Sequence, residues 1–333
     1  MAQGQGDRPC RGGVEGGQGA LRRFNSGRRP NPLGAMPQTP FSFQKSGEVW
    51  RRKPPAGVRG GSPAWMSHLM ITLSDAACAV LAAAEPAEKC RLTRLFSADW
   101  RDGRITEVGN TLPPARPARP LRPQLLPPRD MPRRSYGGDR GRIGLIHALA
   151  HIELNAIDLG WDIIARFAHE DLPRDFASDW VQVALDEVEH FEMLERLLAS
   201  LGAAYGDLPA HDGLWQAAEK TADDILARLV VVPMTLEARG CDTTPATMDK
   251  LARNGDTLTP PALDVIYHDE IRHVAAGVRW FTFVAQKRGL DPKATYQSHM
   301  RERYPAGLKP PFNHEARAEA AFPRDWYEEM ARE

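Results

Sequence analysis

Between Arg142 and Arg288, apolar positions recur every three or four residues in four long stretches, and each stretch predicts a helix with one buried stripe. The first runs from about Arg142 to Phe167 and aligns Ile146, Leu149, Glu153, Ile157, Gly160 and Ile164. The second follows a cap at Ser178, carries Trp180, Val183, Ala184, Glu187, Phe191 and Leu194, and stops at Gly202. A third spans roughly Leu214 to Arg239 with Leu226, Val230, Pro233 and Glu237 in line, and Pro233 is expected to kink it one turn before the glutamate. The fourth opens at Thr259-Pro260, a cap followed by a first-turn proline, and carries Leu263, Ile266, Glu270, Val274, Gly277 and Phe281 before Gly289. Every stripe holds one glutamate. At roughly 1.5 Å per residue these helices are about 35 to 45 Å long, the scale of a four-helix bundle.

The flanks read differently. Residues 1–65 are rich in Gly, Pro and Arg, with eleven Lys or Arg against Asp7, Glu15 and Glu48, and predict a disordered basic extension; Met66 or Met70 is an alternative start. Over 66–138 the pattern predicts two short helices between Leu73 and Trp100, broken at Pro86, and then a proline-rich strap from Thr111 to Pro132 lying extended on the surface. The bundle itself is assigned to 139–290. In 291–333, Pro292 is followed by Pro305, Pro310, Pro311 and Pro323, interleaved with Tyr304, Phe312, Phe322, Trp326 and Tyr327. That composition predicts an irregular tail whose aromatics pack back on the bundle. The fold class is therefore all-α.

The stripe glutamates carry the chemistry. Asp186-Glu187-Val188-Glu189-His190 returns as Asp269-Glu270-Ile271-Arg272-His273, and these hold the two Glu-x-x-His sequences of the chain. A carboxylate and an imidazole at i and i+3 share a helix face. Glu153 stands thirty-four positions before Glu187, and Glu237 thirty-three before Glu270, so two helix pairs related by an internal repeat are expected to converge on one point. Four ionised carboxylates in an apolar interior need compensation. Two divalent cations supply four positive charges, and neutral His190 and His273 complete an oxygen and nitrogen donor set. Asp186 and Asp269, each four residues before its own histidine, are placed to receive that histidine's second N–H, or else to sit solvated on the helix. Zinc-protease chemistry fails on spacing, since H-E-x-x-H requires histidine where Asp186 and Asp269 stand. His147 and His151 fall on the wrong face of their helix to join Glu153. Tyr267, Trp161 and Trp280 read first as packing residues, with Tyr267 within reach of a metal as the sharper alternative. Small residues Ala156, Gly160, Ala184 and Gly277 on the inward stripes would leave space beside the metals for dioxygen or substrate, or let the helices approach closely.

Bulk properties narrow the class. The 333 residues are 42% hydrophobic with zero formal net charge, which allows a sizeable core and gives no global attraction to nucleic acid or anionic lipid; a nucleic-acid partner would rest on the basic extension alone. Cys10, Cys78, Cys90 and Cys241 make no C-x-x-C pair and favour a reducing compartment, hence a cytoplasmic location. No apolar run reaches the length of a membrane span.

The strings LIHALAHIELNAIDLGWD, DEVEHFEMLERLLASLGAAYGD, HDGLWQAAEKT, LEARGCDTTP and DEIRHVAAGVRWF, with RPARPLRP before them and KPPFNHEAR after, resemble the bacterial DUF455 family of ferritin-like proteins over roughly Leu73 to Tyr327. The resemblance implies a ferritin-like bundle with a di-metal centre, and Glu153, Glu187, His190, Glu237, Glu270 and His273 match its pattern one by one. By analogy with the wider ferritin-like class, the expected function is a non-haem di-iron oxidoreductase, with manganese as the other candidate metal. Dioxygen and a small molecule are the expected partners. The alternatives are a non-catalytic metal-binding or peroxide-scavenging bundle and a structural scaffold.

Overall fold

A computed structural model describes residues 71–132 and 138–332, so the basic extension predicted over 1–65 and the candidate start methionines lie outside the described residues. Among those described, the chain is all-helical and contains no strand, only two isolated bridges.

Helices α1 (Leu73–Ala82) and α2 (Pro86–Arg101) meet the sequence expectation, with the break at Pro86. The Thr72 side chain accepts from the Asp75 N–H while the Asp75 carboxylate accepts from the Thr72 N–H, so two of the free donors at the start of α1 are satisfied. Helix α1 packs on α3 (Gly138–Phe167) and α2 on α4 (Arg174–Ser200), while α3 and α4 lie against one another. Helix α4 begins four residues before the cap expected at Ser178, after Pro173, and ends before Gly202 in the left-handed region at φ +72°.

The third predicted helix is the one the structure redraws. A short α5 (Gly213–Glu219) ends early, and the chain restarts as α6 (Ile225–Val231) under an Asp224 cap. It then passes through one wide π-helical turn (Val232–Glu237) into α7 (Ala238–Arg253). Pro233 lacks the N–H that would continue the regular ladder, and the Thr235 hydroxyl donates to the Val230 carbonyl five residues back. The expected kink is thus a widened turn ending at Glu237, and the helix runs on to Arg253 rather than stopping at Arg239. Helix α8 (Thr259–Lys287) follows the prediction closely and packs on α4, α6 and α7.

The strap is extended and held by charge. Arg119 pairs with buried Asp158 on α3 and reaches Asn155, Arg116 pairs with Asp212 and Glu219, and the Ala118 N–H donates to the Leu81 carbonyl. Asp158 also meets Lys89, and both side chains are buried. The tail is not irregular as expected: α9 (Pro292–Arg303), α10 (His314–Glu319) and α11 (Arg324–Tyr327) account for most of it. Its aromatics do bury, with Tyr296, Phe322 and Tyr327 each no more than 2% exposed. Arg317 lies among Phe312, Phe322 and Tyr327 and forms a two-pronged ion pair with Asp242 of α7. Among the described residues no helix is long and apolar enough to cross a membrane.

Candidate metal centre

The six predicted residues come together. Glu153 on α3, Glu187 and His190 on α4, and Glu270 on α8 bring one donor atom each within 4.8 Å of one another, and Glu237, Glu270 and His273 form a second such group. Glu270 belongs to both. Glu187 also spans the pair, with Oε2 3.2 Å from His190 Nδ1 and Oε1 3.1 Å from His273 Nδ1. The two imidazole rings are 6.0 Å apart between centroids. Register explains the convergence on α4 and α8, where the i, i+3 spacing puts each Glu and His on the stripe that faces the opposite helix. The wide turn has the same role for Glu237, because inserting one extra residue into a turn rotates everything after it.

Five buried polar atoms here have no hydrogen-bond partner: Glu153 Oε2, Glu187 Oε1, Glu237 Oε2, Glu270 Oε2 and His273 Nδ1. Glu187 Oε1 and His273 Nδ1 lie close enough to bond yet are not aligned to do so. Atoms placed that way are directed at a shared point rather than at one another, and a buried cation is what such a point would hold. The donor set, four carboxylates and two imidazoles, fits iron or manganese, and its charge balances two divalent ions.

The metal-free electrostatics show what such an ion would replace. Burial, reinforced by Glu187, pushes the Glu153 carboxyl up to about 8. Burial pushes Glu237 up to about 7, and burial followed by the charge of Glu187 holds Glu270 well above the usual carboxylate range. Glu187 goes the other way. Burial would raise it, but His190 and His273 together hold it below the ordinary value. Both histidines are raised although burial opposes it, His190 by Asp269, Glu153 and Glu187, and His273 by Asp186 and Glu187. Protons on the carboxyls and imidazoles therefore carry the compensation that metal would otherwise supply.

The aspartates orient the rings, but across the helix pair. His190 Nε2 donates to Asp269 of α8 at 3.0 Å, and His273 Nε2 donates to Asp186 of α4 at 3.3 Å. The pairing expected within each motif is thus replaced by an exchange, because a histidine turned inward points its far nitrogen at the neighbouring helix rather than back along its own. With Nε2 carrying the proton, Nδ1 of each neutral ring is the free donor to the centre. Arg272, which sequence reasoning passed over, pairs with Asp269 at 2.5 Å and approaches Asp186 at 3.8 Å, so it ties the two aspartates together. The first motif has Glu189 in the corresponding place, and Glu189 instead faces outward to Arg94 of α2. That difference between the motifs was the available signal.

The remaining candidates lie elsewhere. His147 Nε2 accepts from the Gly206 and Leu208 N–H groups, and His151 meets Tyr205 and Asn155, so neither joins the centre. Tyr267 turns its hydroxyl to Asn313 in the tail, Trp161 donates to Thr93, and Trp280 donates to Asp179. The small residues are packed against neighbours. A Cβ on Gly160 would sit 3.0 Å from Ala184 Cβ, and one on Gly277 would sit 2.6 Å from Pro233 Cβ. Of the two expectations for these positions, Gly160 and Gly277 meet the second, close approach of helices.

A family model described as "Protein of unknown function (DUF455)" matches residues 82–328. An uncharacterized protein of Haemophilus influenzae (strain ATCC 51907 / DSM 11121 / KW20 / Rd) is 38% identical over 267 residues, covering 75% of this chain and 91% of the relative. No solved structure matches the chain. The chain belongs to the DUF455 family.

Proposed function

We propose that the chain is a ferritin-like dinuclear metal protein, a non-haem di-iron or di-manganese oxidoreductase that activates dioxygen toward a small-molecule substrate. One observation carries the reading: four glutamates and two histidines from four helical segments meet in a buried cluster whose donor atoms are largely without protein partners. Glu153 and Glu237 would each hold one ion, His190 and His273 would each give Nδ1, and Glu187 and Glu270 would span both. When bound, a pair of redox-active ions supplies reducing electrons to dioxygen. The chain's own contribution is positional. Asp186 and Asp269 hold the rings, and burial keeps bulk water from Glu153, Glu187, His190 and His273. The cytoplasmic location and the small-molecule partner belong to the same proposal.

A second reading, a non-catalytic or structural metal, is favoured by the filled space beside Gly160 and Gly277. Anaerobic loading with ferrous ion followed by a pulse of oxygenated buffer separates the two. The oxidoreductase reading expects oxygen uptake well above that of free ferrous ion, with absorption changes during turnover. Uptake equal to the free-ion control, in protein shown to hold two irons, leaves the structural reading.

A further inference from the structure

A groove of about 290 Å³ runs between α2 and the first half of α4, and none of the six donors of the metal centre lines it. Ser97, Trp100 and Arg101 stand at i, i+3 and i+4 on α2, so they share the face that borders the groove. Val181 and Leu185 of α4 make the apolar side opposite. Most polar groups of the walls are already committed. The Trp100 indole N–H donates to the Ser178 hydroxyl, that hydroxyl donates to the Arg174 carbonyl, and the Gln182 amide donates to Asp186. Ser97 is the exception: it is 3% exposed, and its buried hydroxyl has no hydrogen-bond partner.

The charge of the groove is also unbalanced. Two guanidiniums, Arg101 and Arg174, line it, and no carboxylate does. Elsewhere along α2 each arginine has its counter-ion, Arg91 with Glu88 at 2.7 Å, Arg94 with Glu189 at 2.8 Å and Arg104 with Asp99 at 2.5 Å. Arg101 has only Asp102, 4.0 Å away, and Asp102 is held by Arg104 at 3.0 Å. Arg174 lies 3.4 Å over the Trp100 ring and donates to the Trp100, Ile105 and Thr106 carbonyls, which fix its position without neutralising its charge.

We infer that this groove binds a small organic carboxylate. The anion lies between Arg101 and Arg174 with the Ser97 hydroxyl as a further donor, and the apolar body lies along Trp100, Val181 and Leu185. Guanidinium and carboxylate are matched in charge and in shape, and a buried hydroxyl without a partner is a place where a ligand oxygen restores a missing bond. The volume stands at the small end of ligand sites, and its many apolar walls with few polar groups suit a single carboxylate better than a phosphate, whose several oxygens each need a donor.

Calorimetric titration of the full-length chain with sodium hexanoate at low ionic strength tests the assignment, with hexan-1-ol keeping only the apolar body and inorganic phosphate only the charge. The expected result is one hexanoate per chain, bound at least about tenfold more tightly than either control. R101E reverses a charge that no carboxylate of the described residues holds closely, so it should leave Tm unchanged and weaken hexanoate at least about tenfold. S97A removes a hydroxyl that bonds to nothing in the protein, so it should weaken hexanoate severalfold without lowering Tm, whereas a merely structural serine would show the reverse. Hexanoate that fails to saturate, hexanol or phosphate binding as tightly as hexanoate, or an affinity equal in the unaltered protein, R101E and S97A would overturn the assignment. The last result would place the carboxylate elsewhere, the metal centre included.

Discussion

A single methyl group at Gly277 probes how closely α8 approaches the wide turn. The Cβ of Gly277→Ala would lie 2.6 Å from Pro233 Cβ and 2.7 Å from its Cγ, about 0.8 Å inside the 3.4 Å at which ordinary contact begins. The proline ring cannot rotate out of the way, so either α8 or the turn must shift. Overpacking of this kind costs about 1–3 kcal/mol, while replacing a mid-helix glycine by alanine returns about 0.8–1 kcal/mol. The net expectation is a loss of roughly 1 kcal/mol, or about 2–4 °C in Tm for a chain of this size. Gly144→Ala is the internal control: it also lies within a helix, and an added Cβ there meets nothing within 4 Å, so it should stabilise by the propensity gain alone. Thermal unfolding in chelator reads the difference between the two variants. Because Pro233 lies four residues before Glu237 on the same turn, the shift should also move Glu237 and weaken metal binding to the cluster. Equal stabilisation by both substitutions would show that α8 does not press on Pro233, and the account of Gly277 would fall.

Two further outcomes follow from buried charge. In the metal-free protein Glu153 and Glu237 keep protons up to about 8 and about 7, against an ordinary 4.5, so the folded state binds protons that the unfolded state has released. Stability must then fall as pH rises from about 5 to about 8.5, and metal, by replacing those protons, should flatten the dependence; urea midpoints at several pH values with and without manganese check this, and a rising metal-free curve would contradict it. Lys89→Met should destabilise by about 3–5 kcal/mol, since it leaves Asp158, fully buried, with Arg119 as its remaining cation. A change below about 1 kcal/mol by denaturant unfolding would mean that Arg119 alone compensates Asp158.

How far the sequence discloses this molecule depends on which interactions are periodic. The stripes of α3, α4 and α8 could be read because burying one face imposes the 3.6-residue period, and the same period fixes the directions of Glu153, Glu187, His190, Glu270 and His273. The course of the chain into α7 is not legible, because Pro233 signals a break without saying of what kind. A bend, a stop and a widened turn all begin with the same missing N–H, and the choice is made by the Thr235 hydroxyl and by α8 packed on the other side. The tail helices are hidden for a related reason. Its prolines punctuate short helices rather than forbid them, with Pro292 in the first turn of α9 and Pro323 capping α11. Gly160 and Gly277 illustrate a further limit, because a missing side chain records that something is near without telling whether it is a ligand or another helix.

The exchange of aspartates was beyond any reading of one motif at a time, and it alters what the repeat means. Had each Asp held the histidine of its own helix, α4 and α8 could separate with each Glu-x-x-His unit intact. In the structure Asp269 holds His190 and Asp186 holds His273, with Glu187 touching both rings and Arg272 joining both aspartates. Moving either helix against the other therefore disorients both imidazoles at once. A buried carboxylate cluster strains the fold when its ions are absent, so helices that carry it need a link that survives metal loss. The crossed pairs provide one, since each joins an imidazole through Nε2, the nitrogen turned away from the centre, to an aspartate at least four-fifths buried.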